Sequence, residues 1–306
     1  MKRHSISTAA LLLFFSSMAL GSSTTPTLTI EQAYPSLPSG ALAQATLADL
    51  EEGVILRADS LTISLADLEA ELAQLPAEIQ DEMNRNRFFM LEQIAAKQLL
   101  LHLAKASSAE AQGEAMDEEG LIQAYLEKTV ADVQASEAET AKFYEENKEL
   151  CGGASLDQIQ NDLMQFLTRQ KRDEAAAEHI RTLARRVPIA VSAPWTKAQA
   201  ALAMENPVDR ARASGIPSLI DFGSTGCTPC DMMAPILDEM KIDYADRMNV
   251  EFIHVGEKRI LAARYGIQSI PVQILFDKDG KEVWRHTGYI PRDQIEEQIA
   301  IAIGSI

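Results

Sequence analysis

The chain has 306 residues, of which 46% are hydrophobic and 24% are charged, a composition typical of folded globular proteins. With roughly 100–200 residues in an ordinary domain, this length predicts two domains. The net charge of −17 argues against nucleic acid as a partner, because nucleic-acid binding depends on Lys and Arg side chains that neutralise phosphates. Three cysteines are too few for a fold held together by disulfides, so their spacing must carry any functional meaning.

The N-terminus has the layout of a secretory signal peptide. Lys2 and Arg3 precede an apolar run at 9–20, and small residues follow it. The run is shorter than the roughly 20 residues that a membrane-spanning helix needs, so an uncleaved membrane anchor is the less favoured alternative. We therefore predict a cleaved signal peptide at 1–21 and export to the periplasm.

Residues 22–52 are rich in Ser, Thr, Pro and Ala and include Pro26, Pro35 and Pro38. Because they show little periodic apolar pattern, we predict a flexible leader.

The next block, 53–190, has helical periodicity. Apolar residues recur at three- and four-residue steps, as in amphipathic helices. A Ser followed three residues later by Asp, Glu or Gln is a helix start signal, and it occurs at Ser64, Ser136 and Ser155. Pro188 ends the last predicted helix, and 191–205 is predicted to be a linker.

From residue 206 to 306 the pattern changes to alternating strands and helices in the order β-α-β-α-β-β-α. The predicted strands are 218–222, 250–255, 272–276 and 282–286, and the predicted helices follow Cys227, cover 258–264 and cover 291–303.

The sequence Cys227-Thr228-Pro229-Cys230 lies where the first of these strands gives way to a helix. Backbone N–H groups at a helix N-terminus favour a thiolate, which predicts Cys227 as the nucleophile. The two intervening residues place both sulfurs on one helical turn, so that Cys230 can resolve a mixed disulfide. We expect Thr228 and Pro229 to contact the substrate.

The alternative role for such a cysteine pair is to bind zinc. A structural zinc ion needs four ligands, and no second Cys or His pair follows at suitable spacing. The sequence therefore predicts no metal and no cofactor other than the redox-active cysteine pair.

Residues 206–306 resemble the thioredoxin family in the order and spacing of several motifs. These are Asp221-Phe222, the dithiol six residues after that aspartate, Pro235, Tyr265-Gly266-Ile267, Ile270-Pro271 and Gly288. The resemblance implies a central mixed sheet flanked by helices, with the dithiol at its edge. It also implies a cis peptide bond before Pro271, which packs against the sulfurs, and an Ile270 backbone that pairs with an extended substrate.

Asp221 corresponds to the buried carboxylate of that family. In an apolar run its pKa should be raised, and it would accept the proton of Cys230 through water. The alternative is a buried polar group without a redox role.

Three differences from the family pattern affect the expected activity. Gly223 and Gly226 replace the aromatic residues usual before the dithiol, which puts a role toward general substrates in doubt, and Phe252 stands where a lysine often accompanies the aspartate. No histidine separates the cysteines. Reduction potentials in this family range from about −270 to −120 mV, and we expect a value in the reducing half of that range. The expected partners are protein disulfides and, by resemblance to similar exported proteins, a CcdA/DsbD-type membrane electron transporter.

Residues from about 54 to 190 resemble the N-terminal domain of SurA-type periplasmic chaperones. The similarity runs from the motif at 63–68 through 143–147 to the long helix after Ser155. In that family a parvulin isomerase domain often follows, whereas here Gly152-Gly153 leads almost directly to Ser155, so no isomerase activity is carried over. The resemblance implies a cradle for unfolded clients; a helical scaffold or dimerisation arm is the alternative. Cys151 is either a bystander thiol or a third redox group.

The predicted fold class is thus α + α/β: an all-α, SurA-like N-terminal domain and a C-terminal thioredoxin fold. The predicted function is an exported reductase of protein disulfides. Two alternatives remain at this point: a disulfide isomerase with chaperone activity, and a non-catalytic, chaperone-like binding protein whose dithiol is vestigial.

Overall fold

The computed structural model describes residues 28–59, 61–108 and 116–304. The predicted signal peptide at 1–21 and the first residues of the predicted leader lie outside the described residues. Within the described ranges, no helix combines the length and the apolar character that crossing a membrane requires.

The N-terminal region is largely helical and includes a small sheet. Its helices are α1 (Ile30–Ala33), α2 (Leu65–Ala73), α3 (Ala77–Arg85), α4 (Arg87–Ser108), α5 (Glu118–Thr129), α6 (Glu137–Glu146) and α7 (Leu156–Arg186), with a 3₁₀ helix at Lys148–Cys151. Its strands are β1 (Thr46–Ala48), β2 (Val54–Ala58), β3 (Leu61–Ser64) and β4 (Ile189–Ser192).

The helix start signals at Ser64 and Ser136 are real caps, in which the hydroxyl accepts from the backbone N–H three residues on. The four strands form one sheet in the order β1-β4-β2-β3. This sheet was not predicted from the sequence. Its central strands pair through residues far apart in sequence, such as Leu56 and Val191, both fully buried. The α + α/β layout is confirmed, and a four-stranded sheet is added to a region expected to be all-α.

The described part of the predicted flexible leader is packed into this region. Ile30, Leu37 and Leu42 are almost completely buried in its core. The buried carboxylate of Glu92 accepts hydrogen bonds from the backbone N–H groups of Ser39, Gly40 and Leu42, at 2.7, 2.9 and 2.8 Å. The prediction of a flexible leader was therefore wrong for residues 28–52, because its widely spaced apolar residues pack into the core and Glu92 binds its backbone.

The predicted linker at 191–205 is also ordered. Residues 191 and 192 belong to β4, and α8 (Ala193–Ala203) follows directly, with a proline in its first turn, where the missing N–H costs no helical hydrogen bond. Ala200 and Ala203 are buried in the core of the N-terminal region. The amino-acid composition of 191–205 suggested a connector. In the structure, the alanine face of α8 packs against the core of the N-terminal region.

The C-terminal region has the predicted order of strands and helices, preceded by one short helix. Its elements are α9 (Pro207–Arg212), β5 (Ser218–Gly223), α10 (Thr228–Asp243), β6 (Asn249–His254), α11 (Arg259–Arg264), β7 (Val272–Phe276), β8 (Glu282–Thr287) and α12 (Arg292–Ile303).

The strands form a mixed sheet in the order β6-β5-β7-β8, in which β5 pairs parallel with β6 and antiparallel with β7. Every residue of β5 is buried, since both faces of the sheet are covered. Ile220 and Phe222 belong to the core on one face. Leu219 faces the other way and packs with Met233 and Leu237 of α10.

The two regions are joined by buried contacts. Ile260 of α11 packs into the core of the N-terminal region. The buried guanidinium of Arg264 donates to the carbonyls of Ser36 and Ala203, both at 2.8 Å, and pairs with Asp209 at 3.2 Å. These bonds fix the position of the N-terminal region relative to the sheet that carries the dithiol.

Candidate redox site

The dithiol lies at the junction of β5 and α10. Cys227 is the N-cap residue of α10 and forms a disulfide with Cys230, with 5.2 Å between their Cα atoms. Cys227 is half-buried, whereas Cys230 is only 4% exposed. The two cysteines of the disulfide thus differ in their access to solvent.

Two glycines adapt the chain around this disulfide. Gly226 has a φ of +76°, a left-handed conformation that a tryptophan or another aromatic residue would adopt only with strain. A Cβ at Gly223 would lie 2.9 Å from the Phe252 ring and 3.4 Å from the sulfur of Cys230. The backbone thus favours glycine at Gly226, whereas a side chain at Gly223 would require the Phe252 ring to move.

Asp221 lies on β5, two residues before Gly223. Because side chains alternate along a strand, Asp221 points to the same face as Leu219 and Gly223, the face covered by α10. Its side chain is fully buried, and this burial raises the pKa of Asp221 to about 6. Its Oδ2 atom has no hydrogen-bond partner in the described part of the chain, so it is free to accept a proton.

The partner of Asp221 is Gln273, a residue that the sequence analysis did not identify. Gln273 lies opposite Asp221 on β7, and its Nε2 donates a 2.6 Å hydrogen bond to Oδ1. This bond favours the carboxylate and opposes the effect of burial on the pKa of Asp221. The available signal was a single amide side chain inside the apolar run 272–276.

Phe252 occupies the position opposite Asp221 on the other neighbouring strand, β6. It is 47% exposed, and its ring packs edge-on against His254. Phe252 supplies no charge that would compete with Gln273 for the carboxylate.

The Ile270–Pro271 peptide bond is cis, as the resemblance implied. The carbonyl of Pro271 accepts from the backbone N–H of Gly288 at 2.8 Å. The backbone N–H and carbonyl of Ile270 form no hydrogen bond within the described ranges. Both backbone polar groups of Ile270 are therefore unused by the described part of the chain.

The two residues between the cysteines differ in solvent exposure. Thr228 is exposed and Pro229 is half-buried. Pro229 and Ile270 line one pocket together. The structure thus brings the dithiol loop and the cis-proline loop into one site.

Cys151 of the N-terminal region lies at the same pocket as a free, half-buried thiol. Its sulfur donates to the carbonyl of Asn147 at 3.4 Å. In the described ranges, no group of three or more His, Cys, Asp or Glu side chains is placed to hold a metal ion.

Comparison with known proteins places the C-terminal region in a family. A family model described as Thioredoxin matches residues 203–301. A thioredoxin of Alicyclobacillus acidocaldarius is 43% identical over 84 residues, which are 28% of this chain and 79% of the relative. Thioredoxin 1 of Synechococcus elongatus is 40% identical over 79 residues, 26% of this chain and 73% of the relative. A thioredoxin of Staphylococcus aureus is 39% identical over 84 residues, 28% of this chain and 79% of the relative.

Proposed function

The chain belongs to the thioredoxin family and is a thiol–disulfide oxidoreductase, and from this premise we propose that it acts as an exported reductase of protein disulfides. The observation that carries the proposal is the asymmetry of the dithiol: a half-exposed Cys227 at a helix N-terminus is bonded to a buried Cys230, and the preceding strand carries a buried carboxylate. We propose the dithiol as the redox group, without a further cofactor.

In the first step the thiolate of reduced Cys227 attacks one sulfur of the substrate disulfide. A bond forms between Cys227 and that sulfur, the substrate disulfide breaks, and the other substrate sulfur leaves as a thiolate. The N-terminus of α10 stabilises the attacking thiolate. The backbone of Ile270 holds the substrate chain beside it.

In the second step Cys230 loses its proton and attacks the sulfur of Cys227. The Cys227–Cys230 disulfide forms, and the bound substrate sulfur is released as a thiolate. Asp221 accepts the proton of Cys230 through water, since its Oδ2 is unpaired and its pKa of about 6 is near neutrality. The substrate gains two electrons, which the dithiol loses.

Each further turnover requires a donor of two electrons and two protons. The dipeptide Thr228-Pro229 contains no histidine, which supports a reducing rather than an oxidising potential. In the periplasm, the proposed compartment, the donor would be a membrane electron transporter of the CcdA/DsbD type. The basic residues and apolar run of the N-terminal sequence support export by a cleaved signal peptide.

For the N-terminal region we propose a role in holding client polypeptides, on the basis of its SurA-like motifs. The side chains of α5 and α7 line a groove of about 830 Å³ that includes Ile122, Leu126 and Met164. A scaffold or dimerisation role is the alternative.

The reductase activity is tested with insulin as substrate and dithiothreitol as the electron donor. Cys227→Ser should reduce the rate to the background of dithiothreitol alone. Cys230→Ser should accumulate a mixed disulfide between Cys227 and the substrate, because the resolving sulfur is missing. An unchanged rate in Cys227→Ser would favour a binding protein with a vestigial dithiol.

A refolding assay distinguishes an isomerase with chaperone activity from a reductase. Its substrate is a protein with scrambled disulfides, and no reductant is added. Light scattering gives the oligomeric state in the same buffer, since the isomerase alternative requires a dimer. Catalytic recovery of the native pairing by a dimer would favour the isomerase.

A further inference from the structure

A pocket of about 320 Å³ lies between the dithiol domain and the N-terminal region. Pro229 and Ile270 form one wall, and Phe143 of α6 with Leu163 and Phe166 of α7 form the other. The second wall lies outside the segment that matches the thioredoxin family, residues 203–301. The N-terminal region therefore extends the redox site with side chains of its own.

The second wall is held in place against the first. Gln170 of α7 donates to the hydroxyl of Ser269 at 3.2 Å, next to Ile270. The rings of Phe143 and Phe166 pack against each other with centroids 5.8 Å apart. The pocket is thus part of the packed structure where the two regions meet.

The chemistry of the lining selects for an uncharged occupant. No Asp, Glu, Lys, Arg or His side chain lines the pocket among the described residues. Burying a charged group there without a partner would be costly, whereas an apolar group loses only its contact with water. The volume corresponds to roughly ten water molecules, enough for one aromatic or branched aliphatic side chain.

We infer that this pocket is a specificity subsite for a large apolar side chain of the substrate polypeptide, within two positions of the reacting cysteine. The inference rests on the proposed function, because the occupant is part of a disulfide substrate. Pro229 lies between the two cysteines and Ile270 precedes the cis-proline, so a chain that pairs with Ile270 passes the mouth of the pocket. Because Pro229 lies only two residues after Cys227 in the chain, the pocket adjoins the loop that carries the reacting cysteine.

The test uses the full-length protein in its reduced form and disulfide-linked peptide dimers in single-turnover reactions. The peptides differ only at the two positions on each side of a central cysteine, which are all Leu, all Ala, all Glu or all Lys. Hydroxyethyl disulfide, which has no side chains, is the reference substrate. We expect the Leu peptide to react at least tenfold faster than the Ala peptide, and the Glu and Lys peptides to react no faster than the Ala peptide.

Two variants address the pocket and one serves as the control. Leu163→Asp places a charge in the wall, and Cys151→Leu fills the pocket without removing an apolar contact. Both should bring the Leu-to-Ala rate ratio close to one. Leu202→Asp introduces the same charge at an exposed leucine of α8 that lines neither this pocket nor the groove beside α5, and it should leave the ratio unchanged.

The outcomes separate this inference from the proposed function. If the protein reduces hydroxyethyl disulfide but reacts equally with all four peptides, the subsite is overturned and the reductase stands. If the Leu preference persists in both pocket variants, the subsite is likewise overturned. If no disulfide is reduced, the proposed function and the subsite both fail.

Discussion

Gln273 donates a 2.6 Å hydrogen bond to Oδ1 of Asp221, and both side chains, on the neighbouring strands β7 and β5, are fully buried. The bond satisfies one carboxylate oxygen and leaves Oδ2 without a partner in the described structure. Burial raises the pKa of Asp221 and the amide partly opposes it, which leaves the pKa at about 6. The pair thus sets the basicity of the group proposed to deprotonate Cys230.

Replacing Gln273 with Leu should raise the pKa of Asp221 further, because the variant keeps the burial and removes the hydrogen bond to the charged form. The measurement is an NMR titration of the Asp221 carboxyl carbon in the oxidised protein. Gln268→Leu, an exposed position before the cis-proline, is the matched control. An unchanged or lower pKa in Gln273→Leu would contradict this account of the pair.

Asp221 should make the free energy of unfolding depend on pH. Its pKa is about 6 in the folded protein, against about 3.9 in an unfolded chain, so the folded state binds more protons between these values. Stability should therefore fall as the pH rises from about 4 to about 6. At about 1.4 kcal/mol for each unit between the two pKa values, the loss is about 3 kcal/mol.

Asp221→Asn removes this dependence. The variant should gain about 3 kcal/mol relative to the unmodified protein between pH 4 and pH 7, as measured by guanidinium unfolding at both values. Asp238→Asn, on the exposed face of α10, should change stability by less than about 0.5 kcal/mol. A parallel pH dependence in Asp221→Asn and the unmodified protein would rule out the proposed titration.

Arg264→Met should destabilise the protein by about 3–5 kcal/mol, because it removes the 3.2 Å partner of the buried Asp209 carboxylate and leaves Arg212, at 3.9 Å, as the nearby cation. It also removes the hydrogen bonds to Ser36 and Ala203 that join the two regions. The control is Arg185→Met, whose pair with Glu178 is exposed and should contribute about 0–1 kcal/mol. Urea unfolding measures both, and equal effects would show that the buried cluster is not important for stability.

Glu92→Ala should release the N-terminal loop at residues 39–42. The variant leaves the backbone N–H groups of Ser39, Gly40 and Leu42 without an acceptor, which should cost about 2–4 kcal/mol. Hydrogen exchange at these amides should accelerate at least tenfold, and limited proteolysis should cut within 28–45. Glu71→Ala on the exposed face of α2 is the control, and protection equal to that control would contradict the anchoring role.

The C-terminal fold and the chemistry of its dithiol could be predicted from local sequence patterns. Cys227 and Cys230 are neighbours in sequence, and their spacing on one helical turn follows from local geometry alone. The order of strands and helices was readable for the same reason, since periodicity and turn residues act over short distances. Asp221 stood out as a carboxylate in an apolar run.

Features that depend on residues distant in sequence became evident only in the folded chain. The pairing of β2 with β4 joins segments more than 130 residues apart, so neither short strand was evident within a helical pattern. The leader and the predicted linker are ordered because Glu92 and the buried face of α8 hold them, which composition does not reveal. Gln273 meets Asp221, and Leu163 meets Ile270 across the pocket, only after the sheet and the two regions have assembled.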